Sequence, residues 1–326
     1  RGTDWGTPTE RQLVLARMIA ERVPSVERIR FTNSGGEAVM YAVRAARAFT
    51  GRNRILRMEG SYHGGYDSVV ASPGLAESIV AETLVAPYND LETASRLIEA
   101  QRAQLAAVMV EPVSVRGMHA AEPGFLRGLR EVTREAGVLL ICDEVVTFRL
   151  AAGGAQSIFG ITPDLTTFGK IIGGGLPVGA FGGRADIMDR FDPTRPDSAQ
   201  HSGTFAGNAA TMAAGIAALG LLTPAEIARI NELGDRLRAG LKVALDEACV
   251  LARVTGLGSL VGIHLAETAG MHWLHLAALN HGLFMRAEGA LFLSTAMRDD
   301  EVAETVTTFR KALADANPIL HTGSPQ

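Results

Sequence analysis

Apolar positions recur at helical spacing between Thr9 and Arg22, where Leu13, Ala16, Ile19 and Ala20 fall on one face and Thr7-Pro8 stands at the start. After that segment, short apolar runs alternate with polar loops and helical stretches. Ile29–Thr32 reads as a strand, followed by Asn33-Ser34-Gly35-Gly36 and a helix from Glu37 to Phe49. Arg54–Met58, Ala106–Val110 and Val138–Cys142 read as three further strands, with a helix from Gly124 to Ala136 ahead of the last. This order predicts an α/β domain with a mostly parallel sheet and helices on its faces. Such sheets bind ligands beyond the carboxyl ends of their strands. The polar residues of interest stand at those ends, in Tyr62-His63, Glu111-Pro112 and Asp143-Glu144.

A second pattern begins near Leu219. Pro224 opens a helix running through Leu245, strands are expected at Ser259–Leu265 and Leu291–Ser294, and a last helix at Asp299–Ala314. The expected division is a large α/β domain over residues 1–218 and a smaller α+β domain over 219–326. A chain of 326 residues is long enough for two cores. The opening residues run into a helix with no strand or cap before it, so an N-terminal segment is expected to be absent from this sequence. The segments from Val70 to Leu75 and around Glu267–Met271 read as compressed.

Composition narrows the function classes. The net charge of -4 and the lack of any Lys/Arg-rich run give no case for nucleic acid. Glycines interrupt the apolar runs before any reaches the ~18 residues of a membrane span. Two cysteines, Cys142 and Cys249, make no disulfide framework, so a reducing cytoplasm is the expected compartment. His272, His275 and His281 lack a completing thiolate or carboxylate, and no metal site is expected. Cys142 is read as a small buried apolar residue rather than a nucleophile.

Four features carry candidate chemistry. Lys170 lies between apolar residues and is followed by Gly173-Gly174-Gly175, which admit a ligand close to the backbone. Desolvation there favours the neutral amine that carbonyl condensation requires, although the window alone serves equally for a surface lysine beside a loop. Asp143 ends an apolar strand, where a carboxylate can keep a pyridine nitrogen protonated or simply cap the next helix. Ser34-Gly35-Gly36, at a strand-to-helix junction, offers unpaired N–H groups to a phosphate. Tyr62, next to His63, can stack on a planar ring or be an ordinary loop residue.

Taken together, the stretches Asn33-Ser34-Gly35-Gly36-Glu37-Ala38, Tyr62-His63-Gly64, Glu111-Pro112-Val113, Asp143-Glu144-Val145, Phe168-Gly169-Lys170 and His201-Ser202-Gly203-Thr204-Phe205 occur in the order found in class III aminotransferases. The resemblance is to the glutamate-1-semialdehyde aminomutase branch and extends from Gly6 to Thr295. It implies a pyridoxal-phosphate-dependent transferase of fold type I. It further implies a Schiff base of the cofactor on Lys170, Asp143 on the pyridine nitrogen, and Val145 and Tyr62 on the two ring faces. His63 would lie close by, Ser34, Gly35 and Gly36 would hold the phosphate, and Glu111 would lie near the ring edge. Thr204 would reach the phosphate of a neighbouring subunit, making the active unit a homodimer.

The pattern departs from the aminomutases in places. Gly36 stands where Thr is common, and Gly65-Tyr66-Asp67 replaces His-Ala-Asp. Ser114–Met118 lacks the usual Gly-Asn. Alignment on Phe292-Leu293-Ser294 puts Gly289, with Glu288 one residue off, where aminomutases carry Glu. The expectation is therefore an aminotransferase moving an amino group from an amine, ω- or β-amino acid to a keto acid through pyridoxamine phosphate. The alternatives are glutamate-1-semialdehyde 2,1-aminomutase, or a catalytically silent cofactor-binding sensor, against which the presence of both Lys170 and Asp143 argues.

Overall fold

The structure is a computed structural model that describes residues 7–266 and 268–320. Gly6 and Glu267, on which parts of the sequence reading fall, lie outside the described residues. The strands are β1 (Arg28–Thr32), β2 (Arg54–Met58), β3 (Thr83–Ala86), β4 (Leu105–Val110), β5 (Val113–Ser114) and β6 (His119–Ala120). They continue as β7 (Leu139–Asp143), β8 (Leu165–Gly169), β9 (Gly179–Gly183), β10 (Ala252–Leu257), β11 (Leu260–Leu265) and β12 (Ala290–Phe292). The chain divides into two compact units, one of Arg1–Pro112 with Ala121–Thr223, the other of Val113–Ala120 with Pro224–Gln326. The expected single break after residue 218 has no place for the β5–β6 hairpin, which is counted with the second unit.

Among the described residues, the first unit holds a seven-stranded sheet in the order β1-β9-β8-β7-β4-β2-β3. The pairs β2–β3, β2–β4, β4–β7 and β7–β8 are parallel, and β9 alone runs antiparallel to both of its neighbours. Hence β1, β2, β4, β7 and β8 all end at one edge. Strand β4 is buried throughout, as a strand covered on both faces must be. Its Ala107 and Met109, with Leu139 and Ile141 of β7, pack beneath one set of helices. Val108, Val110, Leu140 and Cys142 face the other side, against Phe125, Leu126 and Leu129 of the helix Phe125–Glu135.

Helix α1 (Glu10–Arg22) buries Leu15 and Ile19. Helix α2 (Gly35–Thr50) lies on the first face through Ala38, Val39, Ala42, Val43, Ala45 and Ala46, a stripe of small residues that brings it close to the sheet. Its start is fixed by Ser34, whose Oγ accepts from Glu37 N at 3.1 Å, while Glu37 Oε2 accepts from Asn33 N at 2.7 Å. Gly51 ends it in the left-handed conformation, φ 68°.

Strands β8 and β9 escaped the sequence reading for physical reasons. Leu165-Thr166-Thr167-Phe168-Gly169 hides two buried threonines, and Gly179-Ala180-Phe181-Gly182-Gly183 has too few side chains for any alternation. The glycines of β9 are needed for close approach, since a Cβ on Gly179 would lie 1.9 Å from the Ser34 carbonyl oxygen.

The second unit pairs β10, β11 and β12 antiparallel. Leu237 and Leu241 of the helix Pro224–Glu247 share its core with Leu274 of the helix Thr268–Asn280 and Phe309 of the helix Asp299–Leu320. The β5–β6 hairpin joins it through Gly117, whose carbonyl accepts from Thr255 Oγ1 at 2.7 Å and lies 2.8 Å from His264 Nε2. Of the histidines weighed as metal ligands, His275 Nδ1 bonds the Met285 carbonyl and His281 Nε2 pairs with Asp315. Among the described residues, no single helix is long and apolar enough to cross a membrane.

Because Gly179 meets the Ser34 backbone and not a movable side chain, Gly179→Ala is expected to cost ~2 kcal/mol or more. Denaturant unfolding checks this, and an unchanged midpoint would contradict the close packing of β9.

Candidate active site

The carboxyl edge of the sheet encloses a cavity of about 380 Å³. Its lining takes one contribution from each converging strand: Asn33–Gly36 after β1, Tyr62–Gly64 after β2, Glu111 after β4, Asp143, Val145 and Val146 at the end of β7, and Lys170 after β8. Leu176, Pro177 and Val178, on the approach to β9, close the remaining side. Nine of the ten residues singled out in the sequence thus meet in one place. The tenth, Thr204, is exposed and lines a different cavity of about 600 Å³ with Thr7, Gln12, Arg30 and His201.

Asp143 is the most constrained member. It is buried, and its Oδ2 lies 2.7 Å from His63 Nδ1, while Oδ1 accepts from Val145 N at 3.1 Å and Thr167 Oγ1 at 2.9 Å. Three donors thus converge on this one carboxylate. His63 is itself buried, and its Nε2 has no hydrogen-bond partner. A proton on Nδ1 donates to Asp143 and leaves a lone pair, not a second N–H, at that dry position.

Lys170 follows β8 directly and has φ 47°, a left-handed conformation for a residue with a full side chain. Strain of this kind costs of order 1 kcal/mol and is tolerated where the surroundings impose it. Here β8 ends at Gly169, and the 3-10 turn Lys170–Gly173 begins at once, with its lysine at the cavity rim.

The other walls are set by packing. A Cβ on Gly35 would sit 2.8 Å from Val145 Cγ1, and one on Gly64 would sit 2.7 Å from Gly36 Cα. Val145 therefore lies against the first turn of α2, with its side chain in the cavity lining. Tyr62 is half exposed at 50%, an aromatic surface open to a ligand, and its backbone N–H donates to Glu111 Oε2 at 3.0 Å. At the start of α2 the N–H groups of Gly35 and Gly36 belong to the turn that lacks intrahelical acceptors.

The sequence reading gave no role to Glu144. It is fully buried, accepts from Ala155 N at 3.1 Å and Gln156 N at 2.7 Å, and also bonds Thr147 Oγ1. It ties down the turn that carries Val145. Burial pushes its carboxyl up to about 7, against the opposing pull of those donors. No local motif marks such a role, because its partners lie up to 12 residues away. Cys142 points into the opposite core cluster, and burial, aided by Glu144 and Asp143, holds its thiol well above the ordinary range. The segment after His201 is anchored by that ring, which accepts from Arg30 Nε at 3.1 Å and packs edge-on to Tyr41. Burial first, then the Arg30 and Arg44 charges, pushes His201 down to about 4, so it is neutral at physiological pH.

A buried carboxylate side chain facing the cavity, a lysine at its rim, an aromatic face and a helix start with open N–H groups fit a phosphorylated pyridine cofactor. Fold and site together define a pyridoxal-phosphate-dependent enzyme of fold type I. The family model for Aminotransferase class-III matches residues 5–313, and the chain belongs to that family. It is 41% identical to a glutamate-1-semialdehyde 2,1-aminomutase of Anaeromyxobacter dehalogenans, over 97% of this chain and 80% of the relative. Among solved structures, an omega-transaminase from Sphaerobacter thermophilus superposes with a TM-score of 0.93 at 44% identity, covering 97% of this chain and 80% of that one. A transaminase with bound pyridoxal phosphate gives 0.95 at 36% identity, covering 98% and 81%.

Two expectations follow. His63→Leu strips a donor from a buried carboxylate and is expected to cost ~3 kcal/mol, whereas His63→Asn, which keeps a donor, costs less. Equal losses in urea unfolding would contradict the pairing. For Glu144, the folded protein keeps between pH 4.5 and about 7 a proton that the unfolded chain releases. Its contribution to stability is thus complete below that window and is lost as pH rises through it. Glu144→Gln is expected to flatten this part of the stability–pH profile, and a parallel profile would contradict the shift.

Proposed function

We propose that this chain is an aminotransferase that moves an amino group from an amine, ω-amino acid or β-amino acid to a keto acid, its cofactor cycling through pyridoxamine phosphate. The observation that carries this reading is at Gly289, which stands at the position where the resembling aminomutases carry Glu. Its φ is 84°, and a Cβ there would lie 2.1 Å from the Ile263 carbonyl oxygen. No carboxylate can stand at that position in this backbone. Adjacent Glu288 is exposed and paired with Arg286 at 3.2 Å. The 44% identity to an omega-transaminase supports the same reading. The aminomutase reaction is the second reading, favoured by the 41% identity to enzymes of that name.

When bound, the cofactor supplies an electron sink for the bond broken at the substrate carbon. In this reading the Lys170 amine would hold the cofactor covalently at rest and, once freed, would serve as the base that takes the proton from the amine-bearing carbon of the substrate. Asp143 would hold the pyridine nitrogen of the cofactor, and His63 and Thr167 keep that carboxylate in place. Ser34, Gly35 and Gly36 bind the phosphate at the positive end of α2. Tyr62 and Val145 would hold the ring between them, and Glu111 fixes the Tyr62 backbone. Thr204, placed away from this cavity, completes the phosphate site of a second copy in a homodimer. A reducing, cytoplasmic setting is part of the reading, supported by the free thiols of Cys142 and Cys249.

Purified protein should show a visible absorbance band of lysine-bound cofactor that disappears on adding a suitable amine or β-amino acid and returns with a keto acid. Lys170→Ala should keep cofactor through non-covalent contacts, yet lose turnover by at least ~10³-fold. Rapid isomerisation of glutamate-1-semialdehyde with no transfer to any keto acid would overturn the aminotransferase reading in favour of the second.

A further inference from the structure

Three glycines line the cavity where α2 begins, and they are not equivalent. A side chain on Gly35 would displace Val145, whose Cγ1 would lie 2.8 Å from its Cβ. Gly64 is excluded twice, by φ 89° and by Gly36 Cα at 2.7 Å. Gly36 is different. It is the second residue of α2, and a Cβ there would meet nothing nearer than Gly64 Cα at 3.7 Å, Gly65 N at 3.8 Å and Ser34 Oγ at 3.9 Å. These are ordinary van der Waals separations. The backbone therefore does not require glycine at 36, and helices disfavour it.

That position also lines the cavity. Of the three neighbours of the absent side chain, Ser34 and Gly64 line the cavity, as does Gly36 itself. The donors at this end reduce to the N–H groups of Gly35 and Gly36 and the hydroxyl of Ser34, whose oxygen already accepts from Glu37 N. A hydroxyl carried on residue 36 would start from a Cβ between Ser34 and Gly64, beside those donors. Glycine leaves that space without a polar group.

We propose that Gly36 limits how tightly this chain grips the phosphate of its cofactor, leaving the cup one hydroxyl short where the fold has room for one. This rests on the reading of the cavity as the cofactor site. The chain then holds pyridoxamine phosphate, which has no covalent link to Lys170, more loosely than the same cup with a hydroxyl at 36. Release of that form becomes a route by which the enzyme loses and regains cofactor.

The test uses binding, not turnover. Apo-protein is titrated calorimetrically with pyridoxamine phosphate, and with pyridoxamine as the ligand lacking phosphate, for the parent, Gly36→Ala, Gly36→Ser and Gly36→Thr. The alanine variant measures the effect of a Cβ alone. The expected result is a folded Gly36→Ala, with Gly36→Ser or Gly36→Thr binding pyridoxamine phosphate about tenfold tighter than it, as one added hydrogen bond to a charged group gives. Pyridoxamine should not discriminate among the four. Affinities of both hydroxyl variants equal to or weaker than that of Gly36→Ala would overturn the proposal, as would a Gly36→Ala protein that fails to fold. If the parent and every variant fail to bind pyridoxamine phosphate, the cofactor reading itself falls and takes this inference with it.

Discussion

The site depends on one buried carboxylate. Asp143 ends a strand covered on both faces, and an unpaired ion there would be prohibitively costly. Three donors remove that cost: His63 Nδ1, Val145 N and Thr167 Oγ1. Each comes from a different piece of the fold, the loop after β2, the turn after β7, and β8. Correct pairing of β7 with β8 places Thr167 opposite Asp143, so the register of the sheet and the charge of the site are one constraint. The same register puts Lys170 three residues beyond Thr167, at the edge where the carboxylate faces the cavity.

Close backbone approach is the second constraint, and glycine meets it. Strand β9 carries Gly179 between Thr32 and Gly169, the last residues of β1 and β8. With a side chain there, the Ser34 turn could not sit against the sheet, and the N–H groups of α2 would not point into the cavity. Val145 fills the gap below Gly35, so the wall of the cavity and the start of the helix are packed by one side chain. Glu144 holds that turn from beneath, at a buried position where its carboxyl is poised near neutrality. The chemistry-bearing loops are thus supported by tightly packed layers with little freedom to shift.

Much of this was legible in the sequence because strand ends leave a local signature. An apolar run followed by Asp-Glu, Glu-Pro or Tyr-His predicts both the strand and the exit of its polar residues, and β2, β4 and β7 behave in that way. Ser34 with Glu37 marks the start of α2 in the same local terms. What stayed hidden is non-local. The strand Gly179–Gly183 has no alternation, because its role is to be thin. The β5–β6 hairpin lies amid first-unit sequence, yet its hydrogen bonds run to Thr255 and His264, more than 130 residues later. The positive φ of Lys170 and the orphaned Nε2 of His63 belong to the packed state alone, and no spacing of residue types announces them.

The most direct test of the account concerns the charge that Asp143 imposes on the cofactor ring. Apo-protein reconstituted with ring-¹⁵N-labelled pyridoxal phosphate reports, by nuclear magnetic resonance, whether the pyridine nitrogen carries a proton. The account predicts a protonated nitrogen in the parent from about pH 6 to roughly two units above neutrality, and its loss in Asp143→Ala. An unprotonated nitrogen in the parent, or a protonated one that persists without the carboxylate, would contradict the role given to Asp143 and with it the arrangement built around it.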